Sequence, residues 1–108
     1  MNFGEAIAAL KLGQRVQRTG WNGKGMWLAL TPASTILPHE VAVPDGMSTA
    51  LVPGPTLRGA ARVYALTECP AGITIGAHID MRAADGSLVI GWLASQTDML
   101  AEDWQVVE

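Results

Sequence analysis

The chain has 108 residues, 49% of them hydrophobic and 16% charged, and its formal net charge is −3. This length fits one domain, and seven scattered basic residues exclude the clustered cationic patch with which proteins bind long nucleic acids. A single cysteine excludes an internal disulfide and a cysteine-based zinc cluster, and with no signal-peptide pattern and no run of about 20 apolar residues we expect a cytoplasmic protein outside the membrane.

The N-terminal segment predicts an amphipathic helix of about three turns. Asn2 followed by Glu5 has the pattern of a capping box, and Gly13 stands where a left-handed residue commonly ends a helix. Apolar residues recur on one face of this helix at helical spacing: Phe3, Ala6, Ile7 and Leu10. We expect this face to pack on a sheet.

A hairpin is predicted next. Residues 15–19 alternate as a strand with Val16 pointing inward, and residues 26–30 form a second strand. The three glycines and the asparagine within residues 20–25 require a tight turn between the strands. The tip of this turn carries Trp21, Asn22 and Lys24.

The middle of the chain is rich in proline. Five of the six prolines lie in a predicted variable loop at about residues 32–58, because proline removes backbone donors and interrupts regular ladders. Within it, at most a short strand at residues 40–43 is expected. Two further strands are predicted at residues 62–67 and 73–77.

A second hairpin is predicted around Asp85-Gly86, a dipeptide typical of two-residue hairpin loops. Pairing outward from this loop gives two apolar cross-strand pairs: Met81 with Ile90, and Ile79 with Trp92. A helical turn capped by Ser95 or Thr97 follows, and residues 104–107 form a last strand. The predicted fold class is α+β: a single domain over residues 1–108 with one N-terminal helix packed on an antiparallel β-sheet.

The chain contains no recognisable catalytic set. His39 and His78 are far apart in sequence, Cys69 has no neighbouring base, and no glycine-rich loop opens a helix to hold a phosphate. His78 and Asp80 point to one face of a strand and could bind a cation, although such a pair is more often a hydrogen-bonded surface row. We therefore predict no catalytic residue, no metal and no cofactor, and a protein that is not an enzyme.

The polar and aromatic residues that remain suit binding. The Trp21 indole can stack on a nucleobase, Arg18 and Lys24 can contact a phosphate, and glycine turns expose N–H groups to anions. Short polar side chains suit ribose hydroxyls and base edges: Asn22, Ser95, Gln96, Thr97 and Asp98. Core packing is the expected role of Trp27 and Trp92, whereas for Trp21 ligand or subunit contact and a purely structural role are equally open.

Both ends of the chain resemble a known family. The strings MNFGEAIAALKLGQRVQRTGWNGKGMWLAL and HIDMRAADGSLVIGWLASQTDMLAEDWQVV, about 60 of the 108 residues, are similar to the Thoeris anti-defence proteins of the second type, found in phages and bacteria. The resemblance implies a sponge that binds glycocyclic ADP-ribose made by bacterial TIR enzymes and holds it intact. It also implies a homotetramer, a dimer of dimers with ligands at the subunit interfaces, acting in the host cytoplasm if the protein is encoded by a phage.

The resemblance further implies which residues contact the ligand. They lie in the glycine turn and in the segment 95–98, with two further candidates on strands: Trp21, Asn22, Gly23, Met26, Ser95, Gln96, Thr97 and Asp98, then Arg18 and Asp80. Residues 32–75 match no pattern of the family. Cyclic dinucleotides, bound at a separate site, remain an alternative ligand, and a signal-degrading hydrolase or a structural phage protein without a small ligand also remain open.

Overall fold

The computed structural model describes residues 1–21, 25–36, 58–68 and 72–108. Its elements in chain order are α1 (Phe3–Lys11), β1 (Arg15–Arg18), β2 (Trp27–Thr31), β3 (Ser34–Ile36), α2 (Gly59–Glu68), β4 (Ile73–Ile75), β5 (His78–Arg82), β6 (Leu88–Val89), α3 (Gln96–Met99) and β7 (Trp104–Val107). They belong to two compact units, one formed by residues 1–32 and 77–108 and the other by residues 33–76.

The larger unit contains a five-stranded antiparallel sheet in the order β6-β5-β2-β1-β7, with α1 packed on it. The predicted fold class, a helix on an antiparallel sheet in an α+β chain, is therefore confirmed. The first hairpin and the last strand are also confirmed, since β1 pairs with β2 and β7 has the predicted bounds. The sequence did not reveal that β1 lies between β2 and β7.

Helix α1 begins and ends as its sequence predicts. The Asn2 side chain accepts from the Glu5 N–H at 2.8 Å, and the Glu5 carboxylate accepts from the Asn2 N–H at 2.9 Å, which completes a capping box. At the other end Gly13 has a φ of 86° and donates its N–H to the Leu10 carbonyl. Both ends thus satisfy backbone groups that a helix terminus otherwise leaves unpaired.

The core of this unit lies between α1 and one face of the sheet. Cross-strand pairs place Val16 beside Leu28, and Leu28 beside Met81, so these three side chains share a face. Val16 is fully buried, which confirms the prediction that its side chain points inward from β1. The buried residues of this core are Ala6, Ala9, Leu10, Val16, Leu28, Met81 and Trp104.

The loop between β5 and β6 differs from its prediction. The Ala83 N–H donates to the Ser87 carbonyl at 2.8 Å, so the loop contains the three residues 84–86 and not two. Gly86 adopts a φ of 90°, the left-handed conformation that ends a three-residue hairpin loop. The Asp85 carboxylate accepts from the Ser87 N–H and hydroxyl at 2.9 and 2.6 Å, which stabilises this wider loop.

The wider loop shifts the register of the hairpin by one residue. Met81 pairs with Val89, so the predicted pair of Met81 with Ile90 is wrong, and Ile90 is exposed. Further along, the Trp92 N–H donates to the Ile79 carbonyl at 2.7 Å, so these two residues face each other as predicted. The strand after β6 therefore accommodates one extra residue, a β-bulge, before Trp92.

The smaller unit combines α2 with a two-stranded antiparallel sheet in which Ile36 pairs with Ile73. The strand predicted at residues 73–77 is confirmed at Ile73–Ile75. The strand predicted at residues 62–67 is wrong, because this segment lies within α2. Three alanines and a leucine in GAARVYALTE favour a helix more strongly than its valine and tyrosine favour a strand.

Much of the predicted variable loop at residues 32–58, including the strand predicted at 40–43, lies outside the described residues. Its first part contains β3, which the sequence did not predict. The single domain over residues 1–108 stays a prediction. Among the helices described, none has the length and apolar character needed to cross a membrane.

Candidate functional site

One carboxylate joins the start of α3 to the end of β1. Asp98 Oδ1 accepts from Arg18 Nη1 at 2.8 Å and from the indole Nε1 of Trp21 at 3.2 Å, while Oδ2 accepts from the Ser95 hydroxyl at 2.8 Å. Ser95 is the N-cap of α3, which confirms one of its two predicted caps. The structure thus brings together four residues that were predicted to contact a ligand. We call this arrangement of Arg18, Trp21, Ser95 and Asp98 the Asp98 junction.

A second carboxylate, on Asp103, extends the Asp98 junction toward β7. Arg18 Nε donates to Asp103 Oδ1 at 2.8 Å, and the Gly20 N–H donates to Oδ2 at 2.8 Å. Sequence reasoning missed Asp103. Its proximity follows from the pairing of Arg18 with Trp104, which joins a strand near the start of the chain to the last one. No local pattern carries that signal.

At the Asp98 junction one positive charge, on Arg18, lies between two negative charges, on Asp98 and Asp103. Burial by itself raises the pKa of Asp98, but hydrogen bonds from Arg18, Ser95 and Trp21 outweigh it and hold this pKa below its ordinary value. The hydrogen bond from Arg18 lowers the pKa of Asp103 likewise, and the two carboxylates raise the pKa of Arg18. All three groups therefore stay charged at neutral pH and are poorly suited to exchanging protons with a substrate.

Trp21 is half-buried in a cluster of three tryptophans. Its ring lies edge-on to Trp104 at a centroid distance of 5.3 Å and to Trp92 at 6.4 Å, and those two rings are 6.3 Å apart. Trp104 is only 2% exposed and anchors the cluster in the core. The core role expected for Trp92 is confirmed. Trp21 combines structural packing with a partly accessible ring.

Apart from Asp80, the remaining predicted contacts fall into three groups. Gln96 and Thr97 have exposed side chains on α3, beside Ser95 and Asp98 in the chain. Met26 is half-buried against the core. Three predicted contacts lie outside the described residues: Asn22, Gly23 and Lys24. The Asp98 junction therefore offers the partly exposed indole ring of Trp21, and the exposed polar side chains of Gln96 and Thr97 lie between its members Ser95 and Asp98 in the chain.

Asp80 is on β5, has hydrogen-bond partners different from those of the Asp98 junction, and is 7% exposed. Its Oδ1 accepts from the Gly91 N–H at 2.8 Å and lies 2.7 Å from His78 Nδ1, while its Oδ2 accepts from the Thr31 hydroxyl. Burial raises the pKa of Asp80, but the hydrogen bonds from Thr31, Gly91 and His78 outweigh it, so this pKa lies below its ordinary value. These contacts hold the β-bulge, in which Gly91 has a φ of 74°.

His78 and Asp80 form a hydrogen-bonded pair, which is the alternative to cation binding that was expected from the sequence. Across the part of the chain that the structure describes, no three His, Cys, Asp or Glu side chains are grouped so that they could hold a metal ion. The bonds from Gly91 and Thr31 to Asp80, together with the contact to His78, connect this pair to the β-bulge.

Core packing was the expected role of Trp27, but this residue lies on the sheet face opposite the core. It is half-buried and pairs with Arg82 across β2 and β5, and the guanidinium carbon of Arg15 lies 5.4 Å from its ring centroid. Arg82 also donates to the Gly25 carbonyl at 2.9 Å. Among the described residues neither arginine forms a salt bridge. An indole with two cationic neighbours thus marks this face.

Comparison with known proteins gives two matches that agree. The family described as the Thoeris anti-defense 2-like domain matches residues 1–107. The protein named Thoeris anti-defense 2 from Bacillus phage SP01 is 34% identical over 107 residues, which covers 99% of this chain and 94% of that protein. Both matches include the middle of the chain, which the resemblance of the two ends did not cover.

Proposed function

The chain belongs to the Thoeris anti-defense 2-like family, and from this premise we propose that it is an anti-defence protein that sequesters a nucleotide signal. The proposed ligand is a cyclic ADP-ribose-type molecule, glycocyclic ADP-ribose, made by bacterial TIR immune enzymes. The protein binds this signal in the host cytoplasm and holds it without degrading it. The immune effector is then deprived of its activator.

The observation that supports this proposal best is the Asp98 junction. Its ionic and hydrogen-bonded partners are already in place in the free protein, so ligand binding orders few additional groups. Capture without turnover requires nanomolar affinity, about −12 kcal/mol, because the protein competes with a receptor for each molecule. A preformed surface with a partly accessible indole reduces the entropic cost of reaching that affinity.

The electrostatics of the junction support binding without turnover. General acid–base catalysis works best with groups whose pKa lies near the working pH. Asp98 and Asp103 have lowered pKa values and remain carboxylates, and Arg18 remains a cation between them. These groups orient neighbouring side chains and have little tendency to give or take protons near neutral pH.

The test is recovery of the bound molecule. Purified protein is mixed with the product of a bacterial TIR enzyme, separated from free ligand, and heated, and the released molecules are analysed by mass spectrometry. An intact signal, released in proportion to the protein, is the expected result. A chemically altered product would show an enzyme, and no released nucleotide would refute sequestration.

Two matched variants localise the binding. Replacing the exposed Gln96 and Thr97 together by Ala removes short polar groups beside the junction without opening the core, and we expect weaker binding at unchanged melting temperature. Gln105→Ala changes an exposed polar residue on β7 that has no part in the proposed site, and it is expected to bind like the parent. Equal binding by all three proteins would place the ligand elsewhere.

We also propose that the protein works as a homo-oligomer, a tetramer as the family resemblance implies. Support comes from the edge of the sheet, where four apolar side chains are exposed: Leu88 by 60%, Val89 by 44%, Ile90 by 64% and Leu93 by 90%. No charged residue occurs between Asp85 and Asp98, so two acidic copies can approach here with little repulsion. Analytical ultracentrifugation tests this, and Ile90→Lys is expected to yield smaller species. A monomeric parent protein would refute it.

A second ligand, a cyclic dinucleotide, is favoured by the opposite sheet face. Arg15 and Arg82 flank Trp27 there, and a guanidinium beside an indole suits a ligand with phosphates and bases. Calorimetric titration with cyclic di-GMP tests this, using Arg15→Gln as the variant. Loss of cyclic di-GMP binding with retained binding of the TIR product would establish two separate sites. No binding by the parent protein would exclude this ligand.

A further inference from the structure

The hydrogen-bonding capacity of Asp98 is already filled within the protein. A carboxylate has about four acceptor positions on its two oxygens. Oδ1 accepts from Arg18 Nη1 and Trp21 Nε1, and Oδ2 accepts from the Ser95 hydroxyl and, at 3.3 Å, from the Ser95 N–H. The Asp98 side chain is also only 15% exposed. A ligand hydroxyl therefore finds no vacant acceptor position, and a ligand phosphate would meet a like charge.

The same residue fixes two of the three tryptophans by two different groups. Its carboxylate accepts from the indole N–H of Trp21, and its backbone carbonyl accepts from that of Trp104 at 2.9 Å. The two rings then meet edge to face at 5.3 Å. Rotation of the Trp21 side chain would break its bond to Asp98 and its contact with Trp104 together. The orientation of the Trp21 ring thus depends on Asp98.

Arg18 completes this arrangement by contacting both carboxylates. Its guanidinium contacts Asp98 and Asp103 together and is itself 15% exposed. It therefore lies against the carboxylate that orients Trp21, and its Nε, Nη1 and Nη2 donors are directed at Asp98 and Asp103. The exposed side chains in the neighbourhood belong to Gln96 and Thr97.

We propose that Asp98 is a positioning residue and not a ligand contact: it sets the orientation of the Trp21 ring on which the nucleotide stacks. Arg18 supports Asp98, and the ligand is contacted by the accessible part of Trp21 and by the exposed polar groups of α3. This inference rests on the proposed function as far as the ligand is concerned. The orientation of Trp21 is a property of the free protein and is tested separately.

The decisive variant is Asp98→Asn, which keeps the size of the side chain but leaves one carbonyl oxygen for the donors of both Trp21 and Ser95. For Asp98→Asn, the dissociation rate constant of the TIR product is measured by stopped-flow fluorescence on folded protein. It is expected to rise about tenfold to a hundredfold. The association rate is expected to stay within about threefold, since affinity changes within one site act mainly on dissociation. A purely structural role would lower the melting temperature and leave the dissociation rate of folded molecules unchanged.

The indole N–H resonance of Trp21 gives a second readout without ligand. It is assigned in a proton–nitrogen NMR spectrum by its disappearance in Trp21→Phe, and Asp98→Asn is expected to shift or broaden it. Asp103→Asn removes the other carboxylate from Arg18 but not the acceptor of Trp21, so this resonance should stay in place. Asp85→Asn, the same chemical change in the distant hairpin loop, is the control for both readouts.

Several results would overturn the proposal. Asp98→Asn with the parental dissociation rate and an unmoved Trp21 resonance would show that Asp98 does not orient the ring. If Asp98→Asn does not fold, Trp21→Phe, which keeps a ring but lacks the N–H donor, decides instead, and parental dissociation by that variant would refute the inference. If the parent protein binds no TIR product, the proposed function fails, while the NMR comparison still decides the role of Asp98 in orienting Trp21.

Discussion

Replacement of Asp80 by Asn tests whether one buried carboxylate holds the bulge that directs Trp92 into the core. Three donors converge on Asp80: the Gly91 N–H, the Thr31 hydroxyl and His78 Nδ1. Asparagine offers one acceptor oxygen in place of two and carries no charge. Its amide N–H₂ group would then face at least one of these donors.

The cost can be estimated from these contacts. A hydrogen bond to a charged group contributes about 1.5–3 kcal/mol, and a buried donor left without a partner costs about 1–3 kcal/mol. Losing one such bond and weakening the others gives about 2–4 kcal/mol for Asp80→Asn. In a domain of 60–100 residues each kcal/mol shifts the melting temperature by about 4–8 °C, so we expect the melting temperature to fall by roughly 8–32 °C.

Urea unfolding followed by tryptophan fluorescence measures the loss of unfolding free energy, and a thermal melt measures the decrease in melting temperature. Near-ultraviolet circular dichroism reports the packing of Trp92. Asp85→Asn is the matched control, because Asp85 makes its hydrogen bonds to Ser87 in the exposed loop of the same hairpin. The control should unfold close to the parent. If Asp80→Asn lost less than about 0.5 kcal/mol, the range of ordinary surface substitutions, the carboxylate would not be what holds the bulge.

Three further predictions concern stability. Gly91→Ala meets no neighbouring atom but must adopt a φ of 74°, so we expect a loss of about 1–2 kcal/mol by urea unfolding, and parental stability would show that the bulge relaxes. Asn2→Ala removes a helix cap and is expected to lose about 1 kcal/mol, with a helix that frays earlier in hydrogen exchange; an unchanged exchange rate would contradict it. The lowered pKa values of Asp80, Asp98 and Asp103 mean that the unfolded state takes up protons first as pH falls, so the stability they contribute is complete above about pH 5 and lost as pH falls through their folded pKa values. Urea unfolding between pH 7 and pH 2 checks this, and a free energy of unfolding that rose in acid would refute it.

The sequence was most informative where structure is determined by neighbours in the chain. Asn2 and Glu5 form the predicted capping box because both partners lie within one helical turn. Ser95 caps α3 for the same reason. Val16 points inward as predicted because alternation along a strand separates its two faces.

Two predictions, the two-residue loop at Asp85-Gly86 and the strand at residues 62–67, were wrong because two local conformational preferences compete there. Asp85-Gly86 suits a two-residue loop, but Gly86 serves equally well as the left-handed residue of a three-residue loop, and the bonds from Ser87 to Asp85 stabilise the latter. Residues 62–67 contain a valine and a tyrosine that suggested a strand, yet their alanine-rich surroundings form α2. The free energies with which a residue favours helix or strand differ by about 1 kcal/mol or less, so local preference alone does not decide between them.

The composition of the candidate site depended on contacts between distant parts of the chain. Trp21 and Trp104 are far apart in sequence and meet edge to face because β1 pairs with β7. Asp103 joins Arg18 through the same pairing. The sequence placed Arg18, Trp21, Ser95 and Asp98 among eleven predicted ligand contacts, but only the structure shows that these four residues bind one another.

The pairing of β1 with β7 also has a consequence for the order in which the protein is assembled. Arg18 faces Trp104 across a span of most of the chain, and closing so long a loop costs more entropy than closing either hairpin. During synthesis the hairpin of β1 and β2 can form early, whereas the bonds from Arg18 to Asp98 and Asp103 must wait until β7 is available to pair with β1. The Asp98 junction therefore forms late, and truncation of β7 would remove the pairing that holds Asp103 against Arg18.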